Sequence, residues 1–224
     1  MLPGISALSL PKAYILAGLL SCVPQAAPNV RIDLQDNPVQ IDNTRSSGDL
    51  ATLSTERGSS SFHDAEFPIV GGLTSFSLQG TPHMIMEISP QPDGACIWIK
   101  NIGITLAYAP VIYIASNYKP GSCRYAQAEE HEQKHANVNI ITLREFLPTL
   151  KPALESALAQ GAATASAEEV QISAGKEALN KRVADVLQKW LESMLQVRTP
   201  RQQQIDSPEE SRRFSKACPN DPVR

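Results

Sequence analysis

The spacing of apolar residues changes once along this chain. Before residue 119 they fall in short blocks that alternate with polar residues; after it they recur every three to four positions. Residues 72–78 (GLTSFSL), 83–88 (HMIMEI), 95–100 (ACIWIK) and 102–108 (IGITLAY) carry the period-two pattern of half-buried strands, and 111–115 (VIYIA) is a short apolar run. Residues 89–94 (SPQPDG) are turn residues between two of these blocks. Upstream, 39–41 reads as a short strand and 49–55 (DLATLST) as a short helix capped by Ser46 or Ser47. Residues 58–66 form a Ser-rich loop, and 23–38, polar and punctuated by proline, read as a linker.

Lys119-Pro120-Gly121-Ser122 ends the strand block. A helix is expected over 123–146, stopping before Pro148, because proline cannot donate to the helical ladder and its ring crowds the preceding turn. Tyr125, Ala128, His131, Glu132, His135 and Thr142 share one broad face of it, and Ile140, Leu143 and Leu147 form an adjacent apolar flank. A second helix covers about 153–159, and 161–166 (GAATAS) is a flexible break. A long helix over 167–197 places Val183, Val186, Leu187, Trp190, Met194 and Leu195 along one stripe, and a polar tail follows Pro200. Strands first and helices after define an α+β fold: a small antiparallel sheet, a helix, then a helical C-terminal region.

The N-terminus has the form of an export signal. Lys12 precedes an apolar run at 13–20, far short of the ~20 residues that span a bilayer. Leu19-Leu20-Ser21-Cys22 resembles a lipoprotein processing box, which would make Cys22 a lipidated N-terminus; the rival is cleavage near Ala26 or Ala27. The expected organisation is a signal at 1–22, the linker at 23–38, one domain at 39–218 and a tail at 219–224. Loss or lipidation of Cys22 leaves Cys96, Cys123 and Cys218, enough for one disulfide, from Cys123 to either of the others, and one free thiol. The net charge of −3 provides no basic field for nucleic acid, and 5% aromatic residues provide no stacking platform.

The chemistry concentrates in His131-Glu132-Gln133-Lys134-His135, which holds two of the four histidines. On a helix, HExxH puts both imidazoles on one face, one turn apart, where they can ligate a single ion, with Glu132 beside a coordinated water as general base. Zinc is the default ion for imidazole ligands. Glu129 and Glu130 read as solvated charge. A catalytic zinc needs a third protein ligand. The extended motif HExxHxxGxxH is absent, since Val138 and Ile141 occupy its glycine and third-histidine positions. The expected third ligand is a carboxylate of the segment Ile205-Asp206-Ser207-Pro208-Glu209-Glu210, first of all Glu210, with Glu209 or Glu155 as alternatives; otherwise Asp206 or Ser207 caps a short helix there. Glu145 lies about 15 Å past His135 along the helix, out of reach. His63 and His83 are further candidates, and Tyr118 or Tyr125 could donate to an oxyanion.

These elements together resemble a bacterial family of predicted secreted zinc-dependent proteases. The likeness rests on 46–54 (SSGDLATLS), Gly72-Leu73-Thr74, 96–106 (CIWIKNIGITL), Ala109-Pro110 and HExxH. The family closes with a Tyr-Asp-x-x-Thr-x-His-Gly element; this chain has Ile205-Asp206-Ser207-Pro208-Glu209-Glu210 there, without the histidine. The resemblance implies His131 and His135 as zinc ligands and Glu132 as catalytic acid/base, with Glu209 or Glu210 replacing the missing histidine. The expectation is an exported zinc metallopeptidase acting on peptide or protein substrates, periplasmic, anchored to the outer membrane through Cys22, or secreted. Two alternatives compete: a non-catalytic envelope protein with a structural or vestigial metal site, and an interaction module that docks through an exposed stripe on the 167–197 helix.

Overall fold

The computed structural model describes residues 22, 24, 26–57, 62–63, 70–164, 166–219 and 221. The apolar run at 13–20, expected as an export signal, and most of the expected Ser-rich loop lie outside them.

The first sheet begins inside the expected linker. Val30, Ile32 and Leu34 alternate with Arg31 and Asp33, and this period-two run forms β1 (Asn29–Asp36), parallel to β6 (Gly94–Tyr108). β5 (Leu78–Gln91) pairs antiparallel with β6 through the two-residue turn Pro92-Asp93, so the turn expected at 89–94 is shorter and the strand longer. β8 (Ala162–Thr164), expected as a flexible break, also pairs with β6. The two expected strands at 95–100 and 102–108 are one. A bulge displaces the register by one residue between Ile85↔Asn101 and Met86↔Ile99. Side chains on a strand alternate faces, so without the bulge Ile97 and Ile99 would face away from Ile102, Ile104 and Leu106; with it all five enter one core.

The second sheet has the order β2-β7-β4-β3, from β2 (Gln40–Asp42), β7 (Val111–Ile114), β4 (Val70–Ser75) and β3 (Phe62–His63). β2 is parallel to β7, so both sheets are mixed rather than antiparallel. β4 is buried at every residue because both its faces are covered. Leu73 and Tyr113 point to α1 (Ser47–Arg57), where Leu50 is fully buried. Gly72 and Thr74 pair with Ile114 and Ile112, whose side chains belong to a separate cluster with Ala128 and Ala136 of α2 (Cys123–Ala157). Ser46 caps α1 by a reciprocal box: its Oγ accepts from Asp49 N–H (3.2 Å), and Asp49 Oδ2 accepts from Ser46 N–H (3.0 Å).

Two helices run through prolines expected to end them. α2 continues across Pro148 and Pro152 because Leu150 and Leu154 beyond them are fully buried, and Trp190 Nε1 donates to Phe146 O (3.1 Å) at the interrupted turn. α3 (Glu169–Ile205) continues across Pro200, and the expected tail is α4 (Pro208–Ala217). Tertiary packing outweighs the local proline penalty of about 3 kcal/mol in both helices. The stripe on α3 is not free for a partner: Val183, Trp190 and Met194 are buried against Leu143, Leu150 and Leu154 of α2.

Cys22 bonds Cys96, and Cys123 bonds Cys218; no cysteine is free. The expected lipid at Cys22 is therefore corrected, since a sulfur in a disulfide has no valence left for a thioether. Cleavage at Ala26 or Ala27 would discard a half-cystine that is 6% exposed and whose carbonyl accepts from Gly161 N–H (2.9 Å). Two disulfides fit an oxidising compartment.

Gly161 leaves no room for a side chain: a Cβ there would meet the carbonyl oxygen of Ile97. Gly161→Ala should lower stability by about 1–3 kcal/mol, read as a fall in the urea midpoint at constant slope; an unchanged midpoint would show that the β6–β8 contact is looser than described.

Candidate metal centre

α2 starts at Ser122, whose Oγ accepts from Tyr125 N–H (3.2 Å). Two turns on, His131 and His135 share the face turned toward the end of α3 and are 1% and 3% exposed. Their Nε2 atoms lie 3.1 Å apart. Asp206 Oδ1 completes a triangle, 3.2 Å from His131 Nε2 and 3.0 Å from His135 Nε2. A four-coordinate ion with bonds of about 2.0–2.1 Å holds its ligand atoms about 3.3 Å apart, so this triangle is close to one face of such a tetrahedron. Asp206 Oδ2 is buried and, among the described residues, has no hydrogen-bond partner. Two imidazole nitrogens and a carboxylate oxygen in this arrangement can hold a metal ion.

Asp206 reaches the site because α3 lies against α2 in the opposite direction. Arg201 pairs with Thr142 (3.1 Å) and Glu145 (2.6 Å), Arg198 with Asn139 (2.5 Å), and Gln202 with Asn139 (2.6 Å) and His135. Asp206 then caps α3, its N–H bonded to Gln202 O (3.3 Å), before Ser207 caps α4.

The same contacts fix the tautomer of His135. Gln202 Nε2 donates to His135 O (3.1 Å) and to Asn139 Oδ1, so Oε1 is the atom left for the imidazole. An amide oxygen only accepts, so Nδ1 carries a proton; the neutral His135 ring then presents the Nε2 lone pair to the cluster, and the protonated ring of the metal-free site donates from Nε2 to Asp206.

The electrostatics are those of a charged site removed from water. Burial pushes the Asp206 carboxyl up, but hydrogen bonds from His131 and His135 outweigh it and hold the group well below the usual carboxylate range. Burial pushes His135 down, yet the Asp206 hydrogen bond and the Glu132 and Asp206 charges raise it overall. Burial raises Glu132, only partly offset by the two histidines and Thr74.

Glu132 is 1% exposed and packed on β4. Thr74 Oγ1 lies 2.8 Å from its Oε2 and 2.9 Å from its backbone oxygen. A Cβ on Gly72 would sit 2.7 Å from both Glu132 Cγ and Oε1, so glycine at that position makes room for the carboxylate.

The other candidates are placed elsewhere. Glu210, the expected third ligand, lies on α4 with Oε1 bonded to Lys134 Nζ (2.7 Å) and Arg213 Nη2 (2.8 Å) and 3.6 Å from His131 Nδ1; two cations claim the carboxylate, and Asp206 already occupies the ligand position. Glu209 pairs with Arg212 (2.6 Å) on the solvent side. Glu155 follows His135 by twenty residues on a helix that does not stop at Pro148, about 30 Å along the axis, and pairs with Lys151 (3.8 Å). His83 is exposed on β5, and the side chain of His63 lies outside the described residues. Tyr118 and Tyr125 pack in the apolar cluster beneath α2. Asp206 lies in the segment expected to supply a carboxylate, but the ligand there was expected to be Glu210 and Asp206 a helix cap; Gln202 and Thr74 carried no signal, since their roles depend on which helix and strand lie beside α2.

Comparison with protein-family models, with curated proteins and with solved structures returned no match to this chain.

Asp206→Asn and His135→Ala should each abolish the uptake of about one metal ion per chain, by elemental analysis, while Glu155→Ala and Glu209→Ala keep it. Retention by Asp206→Asn would remove Asp206 from the ligand set. In the metal-free chain, the raised pKa of His135 adds stability that is full below about pH 6.5 and lost as pH rises through its folded value. The lowered pKa of Asp206 adds stability that is present above about pH 3.9 and lost on acidification. Urea unfolding without metal should therefore show stability falling as pH rises above the mildly acidic range, through His135 and through Glu132, whose raised pKa acts in the same direction; His135→Gln should remove the first contribution and leave a shallower decline.

Proposed function

We propose that this protein is a zinc-dependent metallopeptidase, exported to the periplasm or secreted, that hydrolyses peptide bonds in the bacterial cell envelope. The observation that carries this reading is the convergence of His131 Nε2, His135 Nε2 and Asp206 Oδ1 within 3.0–3.2 Å of one another beside the carboxylate of Glu132. Two imidazoles and one carboxylate make a donor set suited to zinc. Bound there, zinc supplies Lewis acidity and lowers the pKa of a coordinated water to about 7.

The rest of the work falls to the chain. Glu132 accepts the proton of the attacking water and delivers it to the amine nitrogen as the C–N bond breaks. Thr74 ties Oε2, which keeps the carboxylate in one orientation. Gln202 holds the His135 ring, and Asp206 neutralises half the charge of a divalent ion.

A second reading, a closed structural site in an exported protein, draws support from the burial of His131, Glu132 and His135, which are 1%, 1% and 3% exposed. Glu132→Gln separates the two. It should keep the metal and the fold but lower cleavage of an unstructured protein such as casein by about 100- to 10,000-fold, the contribution of a general acid/base. A wild-type chain that binds metal and cleaves nothing, with Glu132→Gln unchanged in stability and metal content, would favour the structural site.

A further inference from the structure

Glu210 is excluded from the ligand set, yet it is too tightly held for an idle surface carboxylate. It lies on the first turn of α4, one turn beyond Asp206. Lys134 Nζ and Arg213 Nη2 both bond its Oε1, at 2.7 and 2.8 Å, and Arg213 Nε bonds its Oε2 at 2.9 Å. Its side chain is 17% exposed, against 75% for its neighbour Glu209. Three charge-assisted bonds fix an anion 3.6 Å from His131 Nδ1, on the far side of the ring from Asp206.

The chemistry of an imidazole ligand makes this placement matter. A neutral histidine that ligates through Nε2 must carry its proton on Nδ1, and an acceptor there sets the ring orientation and raises the basicity of Nε2. For His135 that acceptor is the neutral oxygen of Gln202. We propose that Glu210 is the positioning residue for His131, receiving its Nδ1–H when the site is loaded, with Lys134 and Arg213 holding the carboxylate in place. The two ligands are thus steered by acceptors of different charge and from different helices, Gln202 from α3 and Glu210 from α4. A shift of a few tenths of an ångström in α4 closes 3.6 Å to a hydrogen bond.

This inference rests on the reading of the site as a metal centre, and the experiment separates the two. The full chain is loaded with zinc, and affinity is measured by competition with a chromophoric chelator. The ring-proton position of His131 is read from long-range 15N–1H correlations of the imidazoles. Glu210→Ala should weaken binding by about 10- to 100-fold, the usual cost of losing such a partner. It should also remove the hydrogen-bonded Nδ1–H signal of His131 while leaving that of His135. Glu210→Gln, which keeps an acceptor oxygen, should recover part of the affinity and the signal. Lys134→Met, which weakens the α4 contact but leaves Glu210, should keep the signal. Affinity of Glu210→Ala equal to wild type overturns the proposal. So does a loss shared equally by Lys134→Met with the His131 signal intact, since that marks a role in docking α4 alone. A wild-type chain that takes up no zinc on reconstitution defeats the metal-centre reading itself, and this inference with it.

Discussion

Gln202 lies on α3 and His135 on α2, sixty-seven residues apart in sequence, and the bond between their side chains is where the two long helices are keyed together. Beside this point the helices meet through the polar pairs Arg198–Asn139 and Arg201–Thr142, and farther along the same interface through Leu143, Leu150, Val183, Trp190 and Met194. The apolar part supplies the area, and the polar part sets the register. A slide of α3 by one turn would move Asp206 by about 5.4 Å and leave two buried imidazoles facing no carboxylate. The ligand triangle is therefore a consequence of helix packing, and the continuation of α3 through Pro200 is the local irregularity it requires.

Glu132 is set by a different constraint. β4 brings its Gly72 and Thr74 face against α2 because Leu73, one residue out of phase, is claimed by α1. Glycine removes the side chain where the carboxylate lies, and threonine supplies the donor two residues on. The motif residues thus divide by support: His135 depends on α3, and Glu132 on the second sheet. A buried carboxylate, two buried imidazoles and a half-buried aspartate are costly to hold without water. An ion of opposite charge to Glu132 and Asp206 would offset much of that cost, which links occupancy of the site to stability of the α2–α3 interface.

The disulfides close the chain at two points away from this interface. Cys22–Cys96 ties the N-terminal segment to β6 next to β8, and Cys123–Cys218 ties the end of α4 to the first turn of α2. The second bridge and Phe214, which is 1% exposed, keep α4 over the N-terminal half of α2, where Lys134 meets Glu210. Small departures from the expected cysteine pattern follow from this: with four half-cystines in two bridges there is no thiol left over.

Much of the fold and half of the site were legible from sequence because they depend on local spacing. Period-two alternation marked most of the strand block, the 3.6-residue period marked the helices, and the i, i+4 histidines had to share a face wherever that helix lay. The same logic was available for β1, whose Val30-Arg31-Ile32-Asp33-Leu34 alternation was masked by the prolines around it. Tertiary structure alone decided the rest: that α2 and α3 run through their prolines, that Cys22 pairs with Cys96, and that Asp206 rather than Glu210 meets the histidines. For the helices and the carboxylate the physical reason is the same. Local preferences amount to a few kcal/mol at most, and burial of Leu150, Leu154 and Met194 between two long helices outweighs them. Which carboxylate arrives at a site 71 residues away is set by the register of that packing, and no local pattern encodes it.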